Sequence, residues 1–247
     1  MRNNEEQVAE FVSGISKGPF KYLGDEEGDG SSRYVEKRNP AFADIYECAV
    51  YQAYLDMCRT VAGAGKGKAK KKAELARESA ARSLREYFAG KPKVKEDAFD
   101  SWYRSCIFQA RTAGGLTVGQ AQKLLNMAFK YLYCCRDIRE SAADHFSCCH
   151  MALDGYTLAW YKRECDSGYD GEAWSSIDDI AKYFHIVENT RSKVKGASPF
   201  LAEFGIWKRE TDRAERRELK KWANKIAECE ECPLELKNAL RDFASIL

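Results

Sequence analysis

The segment Gln120–Cys135 constrains this chain more than any other part of it. Its sequence, QAQKLLNMAFKYLYCC, contains no proline or glycine and carries apolar side chains on almost every side. A helix of that kind sits inside a domain with other helices packed around it. Lys123 and Lys130 alone interrupt it with charge, and their spacing of seven residues is close to two helical turns, so both leave the helix along one stripe. Charged lysine is rarely buried, which predicts that the stripe reaches water or a functional cleft.

The rest of the chain agrees with a helical protein. Of 247 residues, 45% are apolar and 32% charged, only five are proline, and Ala, Leu, Lys, Glu and Arg far outnumber β-branched residues. The expected fold class is all-α. Apolar periodicity and caps predict helices over 5–17, from Asn39-Pro40 through Ala53, and over 73–89, 96–110, 120–135 and 153–165. Further helices are expected from the Ser175–Asp179 cap to Lys195, and over 198–209, 212–229 and 233–246. Gly24–Ser32 is rich in Gly, Asp and Ser and reads as a loop. The Gly- and Lys-rich run 62–72 reads as a mobile basic loop, a solvated linker before a phosphate contact. Two helical subdomains follow from this organisation, 1–110 and 111–247.

A formal net charge of +2 is too small to announce a nucleic-acid partner by itself. The N-terminal residues are polar and acidic, and no apolar run is long enough to cross a bilayer, so a cytoplasmic protein without a membrane partner is expected. Most of the ten cysteines, including Cys48, Cys58, Cys106, Cys134, Cys135, Cys148 and Cys149, lie in helical patterns among apolar neighbours and read as reduced core residues. Cys229 and Cys232 have metal-ligand spacing, but no second ligand pair accompanies them, so no metal or other cofactor is expected.

Asp154 stands where a loop becomes the next helix, in His150-Met151-Ala152-Leu153-Asp154-Gly155. A carboxylate there is a natural N-cap, contributing about 1 kcal/mol. It can also face the lysine-bearing helix.

At this point the chain resembles a known family. The Gly-Leu-Thr-Val-Gly-Gln-Ala-Gln-Lys turn into an apolar helix, followed by a loop ending in Leu-Asp before a Trp-containing helix, is similar to the helix-hairpin-helix DNA glycosylases. The archaeal 8-oxoguanine DNA glycosylase branch is the nearest likeness. The resemblance implies two packed helical subdomains with a cleft between them. It also implies a catalytic lysine at Lys123 and a catalytic aspartate at Asp154, thirty-one positions later. Ser198–Trp207 is similar to a late block of the family, which places Glu203 and Trp207, with Met127 and Phe200, at the base pocket. Gly115, Thr117, Gly119, Gln120 and Lys130 fall where hairpin and helix would meet double-stranded DNA. A fainter likeness surrounds Arg38-Asn39-Pro40. Two departures stand out: the proline before the family's Val-Asp is absent, and the hairpin glycines are not in its usual places.

The chemistry can be argued without the likeness. A bifunctional glycosylase extrudes a damaged or modified base and attacks the sugar C1′ with an amine. An ammonium has no lone pair, so free lysine is nearly inert at neutral pH, and an apolar bundle is expected to lower its pKa to about 7–8. A facing carboxylate moves the proton and stabilises positive charge on the sugar. Two other classes compete. Arg139 and His145 have a spacing similar to that of the helical ribonucleases called HEPN domains, which carry both residues on one helix. A non-enzymatic module binding DNA or protein would use the Lys–Asp pair as a structural ion pair.

Overall fold

Helix formation in this chain is set by where polar caps interrupt long apolar stripes. A computed structural model describes residues 4–15, 18, 20, 42–61, 67–194, 198–229 and 232–246, and every regular element among them is helical. In chain order these are α1 (Asn4–Ser13), α2 (Ile45–Met57), α3 (Gly67–Ala89), α4 (Glu96–Gly114) and α5 (Val118–Cys134). Then come α6 (Arg136–Ser141), α7 (Gly155–Glu164), α8 (Ile180–Lys193), α9 (Pro199–Ala227) and α10 (Leu234–Ile246). The all-α expectation holds. No helix among the described residues is long and apolar enough to cross a membrane.

The chain divides into two compact units, one ending at Gly205 and one running from Ile206 to Leu247. The expected boundary near residue 110 is not where this division falls, because α2 packs along α5 and α4 along both α3 and α5. Helices from both sides of residue 110 therefore share one core. At its centre α5 is buried from Val118 to Leu132. Around it Tyr87 stacks on Trp102 at 4.3 Å, and Phe129 and Phe146 close the aromatic cluster. Each large apolar side chain fully buried there contributes roughly 1.5–3 kcal/mol. Gly114 lets α4 approach α3 closely, since a Cβ there would lie 2.5 Å from that of Ala76.

Several boundaries differ from expectation for identifiable reasons. The second helix starts at Ile45, well after Pro40, because Asp44 caps it, its carboxylate accepting from Glu47 N at 2.9 Å. The basic run is helical from Gly67 onward, with Ala73 and Ala76 of that helix buried and Lys68, Lys70, Lys71 and Lys72 turned outward. The break expected near 210 is absent. Thr211 donates back to the Lys208 carbonyl at 2.8 Å within a continuous α9 and caps nothing. The expectations on residues 24–32, 38–40 and 62–66 lie outside the described residues. In the second unit the small side chains Ala223, Ala227 and Ala244 are buried.

Candidate functional site

The site begins at the turn between α4 and α5. Gly115 ends α4 with φ of +65°, a left-handed conformation that favours glycine. Thr117 then caps α5 through a reciprocal box: its hydroxyl accepts from Gln120 N, and the Gln120 side-chain oxygen accepts from Thr117 N, both at 3.1 Å. Gly119 is required by close approach, since a Cβ there would meet the Trp174 carbonyl oxygen at 1.7 Å. Its N–H donates to Ile177 O at 2.8 Å, and Val118 N donates to the Asp178 carboxylate at 3.2 Å. The turn is thereby seated on the 174–178 segment.

Once α5 is fixed, its polar residues organise the loop that delivers Asp154. Gln122 and Asn126 lie one turn apart on this buried helix, each fully enclosed. Gln122 exchanges two hydrogen bonds with Leu153, donating to its carbonyl at 3.0 Å and accepting from its N–H at 3.1 Å. Asn126 donates to Met151 O at 3.1 Å. Glu203 reaches in from α9 to accept from Ala152 N at 2.8 Å. Buried backbone groups of an irregular loop need partners, and side chains supply them here.

Asp154 ends that loop as the N-cap of α7. Its two oxygens divide the work. Oδ1 accepts from Tyr156 N and Thr157 N, both at 2.9 Å, while Oδ2 accepts from Lys123 Nζ at 2.9 Å. Thr157 completes the cap by accepting from Asp154 N at 2.8 Å. The Lys123 and Asp154 side chains are 7% and 12% exposed.

The electrostatics of the pair correct one expectation. Burial works to lower the Lys123 pKa, but Asp154 and Glu203 outweigh it and hold the amine above its ordinary value. Burial likewise works to raise Asp154, and Lys123 together with the Thr157 N–H holds it below the usual carboxylate range. The resting pair is ionic. The neutral amine expected from an apolar bundle does not form, because the bundle carries compensating carboxylates.

No family model, curated protein or solved structure matches this chain. The site is therefore read from its own geometry.

Lys130, expected at DNA phosphates, is enclosed and donates to Glu203 Oε1 at 2.7 Å, with side-chain exposures of 1% and 0%. The Phe11 and Phe204 rings lie 4.3 and 4.6 Å from its amine. Glu203 thus serves Lys130 and Ala152. Phe200 is a core residue stacked on Phe146, and Met127 is buried. Trp207 belongs to the second unit and is half-buried. Of the hairpin residues only Gly115 is exposed; Thr117 donates to Ser175 O at 2.8 Å and Gln120 to Thr60 O at 2.7 Å, so their polar groups are engaged within the protein.

The ribonuclease constellation does not assemble. Arg139 lies on α6 over the Tyr133 ring. His145 lies in a separate 3₁₀ turn, buried against Phe88, with Nε2 3.1 Å from Gly90 O. Six of the seven core-type cysteines are buried and Cys58 is half-buried, all of them free thiols. Among the described residues no group of three or more His, Cys, Asp and Glu gathers as a metal site would require.

Sequence reasoning missed a second polar network behind the loop. Tyr103 donates to Asn126 Oδ1 at 2.6 Å, and Asn126 Nδ2 lies 3.2 Å from the Tyr183 hydroxyl. The Tyr183 hydroxyl meets His150 Nδ1 at 2.9 Å, and His150 Nε2 meets Asp100 at 2.8 Å. Arg191 grips both oxygens of Asp100 at 2.8 Å. Burial lowers the His150 pKa against the opposing pull of Asp100. The signal that could have found this network was Gln122 and Asn126, two amides one turn apart in a helix with no other reason to carry them.

Proposed function

We propose that this chain is a DNA glycosylase with lyase activity, acting on a damaged or modified base in duplex DNA, with Lys123 as nucleophile and Asp154 as its proton partner. The observation that carries the reading is the contact of Lys123 Nζ with Asp154 Oδ2 at 2.9 Å. The cap of α7 is complete with Oδ1 alone, so the second carboxylate oxygen is surplus to the fold and held on an amine. An acid and a base within hydrogen-bond reach are what amine catalysis needs.

Because the resting pair is ionic, loss of a proton from Lys123 belongs to the reaction. With its proton passed to Asp154, Nζ forms a bond to C1′ of the extruded nucleotide as the bond from C1′ to the base breaks. The base leaves with the electron pair and takes up a proton. The nitrogen loses a further proton, and the ring oxygen departs protonated as C1′ and nitrogen form an iminium. Loss of a proton from C2′ then expels the 3′ phosphate. With so little of either side chain exposed, the nucleotide reaches Nζ only as the surface around the pair yields.

Borohydride reduction of the iminium tests the reading. A panel of duplexes carrying 8-oxoguanine, other modified bases or an abasic site is expected to give a covalent complex that disappears in Lys123→Gln. Absence of trapping by the wild-type chain across the panel, abasic site included, sinks it. The ionic and shielded state of the pair favours one competing reading, a binding module in which Lys123 and Asp154 only hold two helices together. That module would bind DNA or protein and give no trapped product.

A further inference from the structure

A second region of charge lies on α9, in the unit beginning at Ile206. Arg209, Arg213, Arg216, Arg217 and Lys220 are all exposed and follow one another at spacings of three and four residues, with Arg217 adjoining Arg216. At ~100° per residue they fall within about 100° of arc, and at ~1.5 Å per residue the stripe is about 16 Å long. With Asp212 they border an open surface cleft of about 570 Å³.

A charged helical face is usually balanced by its own carboxylates, and much of this helix is. Lys208 pairs with Asp212, Arg213 with Glu210, and Lys221 with Glu218. Arg209, Arg216, Arg217 and Lys220 make no ion pair with any described residue, so this balance reaches only Arg213 of the five cations in the stripe. Like charges gathered on one face repel one another, a cost that an outside anion removes. The arginines favour phosphate oxygens, which a guanidinium can grip with two parallel hydrogen bonds.

We infer that this stripe is a docking surface for the phosphate backbone of duplex DNA, read without regard to sequence. The choice of DNA rests on the function proposed above; the anion-binding character of the stripe does not. A lipid surface fits less well, because a helix lying on a membrane needs an apolar face next to its cations. The exposed apolar residues Leu219 and Trp222 are instead turned about 110° and 170° away from the centre of the stripe.

The test uses the full chain and fluorescence anisotropy with an undamaged duplex of ~20 base pairs, titrated between about 50 and 300 mM salt. Each phosphate contact contributes about 0.9 to the slope of log affinity against log salt. In R209Q/R216Q/R217Q/K220Q the slope is expected to fall by about 3 and the affinity near 0.1 M salt by about tenfold or more. Arg213 is left intact because it holds the buried Glu210. If the fourfold variant fails to fold, R209Q/R216Q and R217Q/K220Q carry the same test, each at about half the slope change. R209K/R216K/R217K is expected to keep the slope. An unchanged slope overturns the inference, and so does preferential binding to single-stranded RNA or to vesicles rich in anionic lipid. Trapping at saturating duplex reports separately on Lys123: loss of the slope with trapping intact places the fault in docking alone, and no trapping with a normal slope change leaves the stripe standing without the lyase.

Discussion

Two lysines of α5 each meet a carboxylate from a distant part of the chain, yet the two pairs are built for different ends. Lys130 and Glu203 are sealed, with side-chain exposures of 1% and 0%. Both Glu203 oxygens are committed, one to the lysine and one to Ala152 N. Lys123 and Asp154 retain 7% and 12% exposure, and Asp154 anchors its helix through one oxygen while the other holds the amine. Each carboxylate gives one oxygen to backbone N–H groups and the other to its amine, so the difference between the pairs lies in exposure. A sealed pair offers a substrate no approach; one at the edge of the surface does.

The comparison breaks most sharply if the sealed pair is not structural. Lys130→Met leaves Glu203 buried without its cation, a loss expected to cost about 3–5 kcal/mol. Urea unfolding measures it, and Lys130→Met/Glu203→Gln is expected to recover a good part of the loss. A loss below about 1 kcal/mol would show that Glu203 reaches water and that the two pairs are alike.

Lys123→Met is expected to cost less, about 1–3 kcal/mol, because Asp154 keeps two backbone N–H donors and partial access to water. Matched urea curves for the two methionine variants give the difference directly. Equal losses would remove the distinction drawn between them.

A third measurement concerns pH. The raised pKa of Lys123 contributes stability that is fully present below its ordinary value of 10.5 and is lost as pH rises through the higher folded value. The lowered pKa of Asp154 contributes stability present above its ordinary 3.8 and lost as pH falls through the lower folded value. The stability difference between wild type and Lys123→Met/Asp154→Asn is therefore expected to be flat through neutral pH and to shrink at both extremes. A change in that difference between about pH 6 and 8 would instead reveal an amine titrating there, as an apolar bundle without carboxylates would impose.

How far the chain could be read in advance follows from the range of the forces involved. The burial of α5 was legible because an apolar stripe on all sides has one solution, and Asp154 as a cap was legible because capping is local. Lys130 misled because its partner lies 73 positions away, and periodicity carries no information about which distant carboxylate will arrive. The lysines of 68–72 suggested a loop through mutual repulsion, but burial of Ala73 and Ala76 on the same helix outweighs a few exposed like charges. Gly119, singled out as a DNA contact, has a steric reason to be glycine: the Trp174 carbonyl leaves no room for a Cβ. Such a packing demand between residues 55 positions apart leaves no local pattern.

The smallest expected effect discriminates most finely. Thr157 closes the box around Asp154, its hydroxyl accepting from Asp154 N at 2.8 Å and donating to Ala152 O at 2.9 Å. Thr157→Val keeps the shape and removes both bonds, at a cost of about 1 kcal/mol. If Asp154 only caps a helix, nothing beyond that loss in thermal stability follows. If its Oδ2 must meet Lys123 in a fixed direction, loosening the cap slows borohydride trapping by about tenfold while duplex affinity stays unchanged, since a small misplacement of a catalytic group costs rate before it costs binding. Trapping at the wild-type rate in Thr157→Val would put Asp154 on the same footing as Glu203, a carboxylate there for the fold alone.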